Sequence, residues 1–160
     1  DAVECTVQVA LGLVAAGERS HSPVAPLLGS AVRLMQEFSW RLAAILEGTS
    51  NLPVSWFQEA AGRISWDLRA AHTEATWRSP TDPMKRCTEE LDHIWRRLHV
   101  QDRLQSIAGM AWPSQRRYCF AELAWALARI DDMSLGASSE LLTSILAMPR
   151  EECAPLGRSE

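Results

Sequence analysis

Apolar residues recur along this chain at intervals of three and four, and no long stretch alternates as a β-strand does. This spacing places apolar side chains on one face of an α-helix with 3.6 residues per turn. Prolines, glycines and capping residues separate the apolar stretches. The pattern therefore predicts an all-α protein in which each helix buries one face.

The breakers divide the chain into six predicted helices. They cover approximately residues 2–16, 22–47, 56–78, 83–108, 113–131 and 138–148. Gly17, Gly48 and Gly109 follow predicted helix ends, as glycine often does. The apolar stripe shifts after His99, so the fourth helix should bend or divide near Val100, which would make seven helices. Connections of about three to seven residues make consecutive helices antiparallel neighbours.

One predicted helix is apolar almost all round. Between Tyr118 and Ile130 only Glu122 and Arg129 are charged, and at helical pitch both lie on one narrow strip. A helix of this kind needs neighbours on most sides. It is too short to span a bilayer, which takes about 20 apolar residues. We therefore predict a compact antiparallel bundle around a central helix at about 113–131.

The length of 160 residues suits one domain. Residues 1–149 are expected to form it, with a polar, frayed tail at 150–160. The chain begins with Asp rather than Met, so we expect an excised domain of a larger protein or a processed product; the expected role is that of a fragment of a larger protein or a complex subunit. Its net charge of −4 argues against nucleic-acid binding, which usually needs a basic face. No stretch is apolar enough to cross a membrane.

The four cysteines are far apart and form no CxxC motif. They are Cys5, Cys87, Cys119 and Cys153. Cys87 and Cys119 occupy apolar helical positions, which favours free core cysteines in a reducing, intracellular compartment such as the cytoplasm or nucleus. Because the count is even, a secreted, cytokine-like helical ligand with two disulfides is the alternative.

Residues able to support catalysis or metal binding are scattered. The histidines at 21, 72, 93 and 99 lack the i,i+3 or i,i+4 spacing of helical metal ligands. Asp131 and Asp132 are adjacent, so their carboxylates point apart on a helix. No nucleophile motif or glycine-rich phosphate loop is present. The sequence predicts a non-enzymatic protein without a metal or cofactor.

The seven tryptophans are the most informative residues. Trp66 lies about 180° around the third helix from Phe57, which begins the apolar stripe, and Trp77 lies beside Trp66. Tryptophan and arginine are enriched where binding energy concentrates. We therefore predict an interaction or assembly domain that binds another protein or a second copy of itself. Its predicted partner-binding residues are Trp66, Trp77, Arg69, Arg63 and, on the second helix, Trp40. The ordinary alternative is that another helix of the domain covers this face.

A second function stays open from the residues alone. The bundle could enclose an apolar pocket in which the charged strip orients the polar head of a small regulatory ligand. The predicted pocket residues are Trp95, Tyr118, Glu122, Trp125 and Arg129.

Overall fold

The computed structural model describes residues 7–49, 51–78 and 83–128. These ranges contain no β-strand, and the prediction of an all-α protein is confirmed. The helices are α1 (Val7–Arg19), α2 (Val24–Leu46), α3 (Val54–Arg78), α4 (Pro83–Arg97), α5 (Val100–Ala108) and α6 (Pro113–Ala128). The last predicted helix, the N-terminal residues and the tail at 150–160 lie outside the described residues. The predicted helix total, the antiparallel arrangement and the single domain at 1–149 stay predictions.

The centre of the described fold is the pair α2 and α3, which share the largest helix–helix interface. Around this pair, α1 and α6 pack against α2, while α4 and α5 pack against α3. The predicted stripe of α3 is fully buried: Phe57, Ala61, Ile64, Leu68, Ala71 and Ala75. Half of that stripe is alanine, and such small side chains let a neighbouring helix approach closely.

An aromatic cluster joins α2, α3, α4 and α6. The Phe38 ring lies 5.1 Å from Phe57 and 6.0 Å from Trp95, both nearly edge-on. Phe57 in turn lies 5.6 Å from Phe120 of α6. Edge-to-face pairs at this separation add to the stabilisation from burial alone. The cluster therefore fixes how these helices sit on the α2–α3 pair.

The expectation of a central helix at about 113–131 is wrong for the described part of the chain. α6 packs against α2 and α5, and its Trp125 is 44% exposed. Apolar atoms contribute more than half of an ordinary protein surface, so a helix that is apolar all round does not require neighbours on every side.

The end of α1 also differs from the expectation. The helix continues through Gly17 to Arg19, and His21 adopts the left-handed conformation with φ 57°. A Cβ at position 17 would lie 3.0 Å from Ala25 Cβ and would overlap Met84 Cε. Gly17 is therefore a close-packing residue between helices rather than a helix terminator.

The predicted division near Val100 is confirmed. His99 has φ 49° and ψ 45°, a left-handed conformation that ends one helix and redirects the chain into the next. α5 then buries Val100, Leu104 and Ile107 and packs against α3 and α6. The chain therefore changes direction where the apolar stripe shifts in the sequence, after His99.

The prediction of free cysteines is wrong for Cys87, which is disulfide-bonded. Cys119 is a half-buried thiol, so it is not the residue to which Cys87 is bonded. Burial on an apolar stripe is compatible with either state, because a cystine packs as well as a thiol. None of the helices in the described ranges combines the length and apolar character that crossing a membrane requires.

Candidate interaction surface

The solvent side of α3 carries two large exposed rings. Trp66 is 73% exposed and Trp77 is 84% exposed, whereas Ile64 and Leu68 on the opposite side are fully buried. The 3.6-residue period places both rings about 180° from the buried stripe, as predicted. We call this side the outer face of α3, formed by Ser55, Glu59, Gly62, Trp66, Arg69, Thr73 and Trp77.

Burial of the two rings would supply substantial binding energy. If a partner covered roughly 150 Å² of each indole, burial would contribute about 7.5 kcal/mol at about 25 cal/mol per Å². Lost translational and rotational freedom offsets much of this contribution. The remainder is enough for association only if neighbouring polar residues are also matched.

The two arginines predicted for this surface differ in their surroundings. Arg69 is exposed and its side chain has no hydrogen-bond or ion-pair partner in the part of the chain that the structure describes. Arg63 is held 3.7 Å from the buried carboxylate of Asp67, and Ser30 of α2 donates a hydrogen bond of 2.8 Å to that same carboxylate. Arg69 is therefore free to bind a partner, whereas Arg63 also belongs to the α2–α3 contact.

A groove of ≈ 590 Å³ runs between α2 and α3 next to the outer face. Its lining residues are Ser30, Arg33, Leu34, Glu37, Trp56, Glu59, Ala60 and Arg63. Arg41 lies 5.1 Å above the half-buried Trp56 ring and is paired with Glu37 at 2.8 Å. Glu59 and Arg63 belong to the groove and also lie one or two turns from Trp66, so the two features are continuous.

Sequence reasoning missed the groove, Glu59 and Gly62. The groove depends on the register between α2 and α3, which no local pattern specifies. Glu59, Gly62, Trp66 and Arg69 could have been found, because they follow one another at intervals of three, four and three on one helical face.

Trp40 is 58% exposed on α2, as its predicted surface role requires. It is not among the residues that line the groove, although Arg63 is. Three of the five predicted residues, Trp66, Trp77 and Arg69, therefore lie on the outer face of α3. Arg63 lies beside that face on the same helix, and Trp40 lies on a separate helix.

Neither the α2–α3 groove nor the smaller cavity beside Trp95 brings together the residues of the predicted ligand pocket. Trp95 is buried against Phe38, and its indole N–H donates to Ser65 Oγ at 2.9 Å. The cavity beside it, of ≈ 160 Å³, is lined by residues of α3, α4, α5 and the α4–α5 junction. Tyr118 and Glu122 are half-buried on α6, and Arg129 lies outside the described residues. The ligand pocket therefore stays a prediction.

Histidine, cysteine, aspartate and glutamate form no cluster of three or more suited to a metal ion within the described ranges. The exposed tryptophans on α3 are thus the feature that most needs a functional explanation. No protein family, no curated protein and no solved structure matches this chain.

Proposed function

We propose that this chain is a non-enzymatic assembly domain that binds a protein partner through the outer face of α3. Trp66, Trp77 and Arg69 form the centre of the surface. Arg63 lies at its boundary with the groove, and Trp40 of α2 contributes from the side. One observation carries the proposal: two indole rings are 73% and 84% exposed on a helix whose opposite face is completely buried.

The physical chemistry of the surface supports this proposal. Scattered apolar side chains are common on proteins, but two tryptophans on one face are unusual because each exposes a large apolar area. A tryptophan ring loses little conformational entropy when it binds, since only two torsions are fixed. The described helices leave both rings uncovered, so none of these helices accounts for the two rings as part of a core.

The test is a double substitution, Trp66→Gln with Trp77→Gln, compared with wild type and with Trp125→Gln as a matched control. Trp125 is also exposed, but it lies on α6. The double variant should lose capture of its partner from an extract of the native cells. Its melting temperature should stay within about 2 °C of wild type, since exposed substitutions usually change stability by less than about 0.5 kcal/mol.

Two results would contradict the proposal. A large fall in melting temperature would mean that the rings support the fold rather than a partner. Unchanged capture by the double variant, with loss of capture by Trp125→Gln, would mean that the partner binds α6 rather than α3.

A second candidate is the secreted helical ligand, and the disulfide at Cys87 favours it. Stable structural disulfides are typical of oxidising compartments, whereas an intracellular location was expected from free cysteines. We propose that the same α3 surface would then bind a receptor outside the cell. Alkylation of the denatured protein, followed by mass measurement with and without prior reduction, counts the bonded cysteines. A count of four free thiols in protein isolated from its native source would remove this candidate.

A further inference from the structure

We infer that the partner on the outer face of α3 is a second copy of this chain. The two α3 helices would pair antiparallel through their outer faces. The two-fold axis would cross them at the level of residue 64. This inference rests on the proposed function and names its partner. It is carried by three observations on α3: two opposite charges without a partner among the described residues, a glycine that the packing of these residues does not need, and the symmetric spacing of the outer-face residues about the level of Ile64.

Two residues of the outer face carry opposite charges. Glu59 and Arg69 are both exposed, and neither side chain has a hydrogen-bond or ion-pair partner within the described ranges. They lie on the same side of α3, five residues before and five residues after Ile64. In an antiparallel pair centred there, Glu59 faces the partner's Arg69 and Arg69 faces the partner's Glu59. The symmetric pair therefore forms two contacts between an acidic and a basic side chain, one on each side of the two-fold axis.

The glycine provides an independent argument. Gly62 lies inside α3, where glycine is a poor helix former compared with alanine. Its φ is not positive, and among the described residues a Cβ placed on it would meet only Gln101 Nε2, at 3.6 Å. Neither the backbone nor the packing of the monomer therefore requires glycine. In the proposed pair, the Trp66 ring faces the partner's Gly62, and the missing side chain leaves room for the indole to lie against the helix backbone.

The spacing makes the face self-complementary. The residues Ser55, Glu59, Gly62, Trp66, Arg69 and Thr73 follow one another at intervals of four, three, four, three and four. This is the spacing of a helix–helix seam in a coiled coil, here on the exposed side of α3. About Ile64 the sequence of intervals is a palindrome, so hydroxyl meets hydroxyl, acid meets base and glycine meets tryptophan. A two-fold interface requires such self-complementarity, whereas an unrelated partner does not.

The expected dimer is weak. The seam from Ser55 to Thr73 spans about 27 Å of helix, at 1.5 Å per residue. A contact along one helix face of this length buries an area at the low end of the range for stable protein–protein interfaces. Association should therefore depend on protein concentration.

The test measures molar mass by size exclusion with light scattering for the full chain, at concentrations from roughly 10 to 500 µM. Non-reducing buffer keeps the Cys87 disulfide, and alkylation of Cys119 prevents a covalent dimer through its thiol. Wild type should shift from monomer towards dimer across the series. Glu59→Arg and Arg69→Glu should each weaken self-association by at least about tenfold, because every inter-helix contact then joins like charges.

The mixture of the two variants is the decisive sample. One chain carries only positive charges at positions 59 and 69 and the other carries only negative charges, so a mixed pair is matched again. The equimolar mixture should recover a dimer at close to the wild-type concentration. Arg97→Glu is the charge-matched control, since Arg97 is exposed on α4, and it should dimerise like wild type. Circular dichroism confirms that each variant is folded.

A monomeric wild type throughout the series overturns the inference. Self-association that neither charge reversal weakens also overturns it, as does a mixture of the two variants that stays monomeric. A monomeric wild type that still captures a partner through Trp66 and Trp77 overturns self-pairing but leaves the proposed assembly function intact. A wild type that neither self-associates nor captures a partner contradicts both self-pairing and the proposed assembly function.

Discussion

The substitution Gly62→Ala separates what α3 needs in the monomer from what it needs in an assembly. The position lies within a 25-residue helix, and an added methyl group would meet only the end of the Gln101 side chain, at an ordinary contact distance of 3.6 Å. Glycine is about 0.8–1.0 kcal/mol less favourable than alanine inside a helix. The free energy of unfolding should therefore rise by about 0.5–1 kcal/mol, and the melting temperature by about 1–4 °C.

Gly29→Ala is the matched control, because Gly29 also lies inside a long helix. There a Cβ would lie 3.0 Å from Val14 Cγ1 and 3.1 Å from a guanidinium nitrogen of Arg33. α1 or its side chains would have to move, which offsets the gain in helix propensity. We expect no gain in stability, or a loss of about 1–2 kcal/mol.

Urea unfolding followed by far-ultraviolet circular dichroism measures both variants, at a protein concentration low enough to keep the chain monomeric. Gly62→Ala should raise the urea midpoint without changing the slope. The same variant should also weaken self-association, since the methyl group fills the space proposed for Trp66 of a second copy. A drop in the midpoint for Gly62→Ala would refute the reasoning, because it would mean that α3 is already in close contact at this position within the monomer.

Three further predictions concern the core. Ser39 Oγ is buried and has no hydrogen-bond partner among the described residues, so Ser39→Ala should raise the free energy of unfolding by about 1 kcal/mol; a lower urea midpoint would contradict this. Phe38→Ala removes the ring that touches Phe57 and Trp95 and should lower the free energy of unfolding by about 3–5 kcal/mol; a change below about 1 kcal/mol would mean that the cluster does not stabilise the fold. Reduction of the Cys87 disulfide should cost about 2–5 kcal/mol, measured as the melting temperature with and without reductant; equal melting temperatures would count against the bond.

The orientation of α3 was predictable from its residues alone. Helical periodicity is a local property, so the alternation between Phe57, Ile64 and Leu68 on one side and Trp66 and Trp77 on the other follows from the spacing. The buried stripe and the exposed rings were both correctly assigned. The same local logic correctly located the break at the α4–α5 junction.

Features that depend on contacts distant in sequence were not predictable. The groove forms because Ser30 meets Asp67 and Phe38 meets Phe57, pairs that local patterns do not specify. The position of α6 was misjudged because apolar composition indicates what a helix can bury, not which neighbours it has. The disulfide at Cys87 was predicted only as the alternative to free cysteines, since pairing requires knowledge of which parts of the chain are adjacent.

The distribution of the indole rings has a consequence for spectroscopy. Trp95 is buried and Trp56 and Trp112 are half-buried, whereas Trp40, Trp66, Trp77 and Trp125 are exposed, so most of the native emission comes from indole rings in contact with solvent. Unfolding should then shift the emission maximum only slightly, and fluorescence would be a poor reporter of denaturation. Contact with a partner would instead shield the α3 rings, shift their emission to shorter wavelength and reduce quenching by acrylamide. The intrinsic fluorescence of this protein should therefore report on binding much better than on folding.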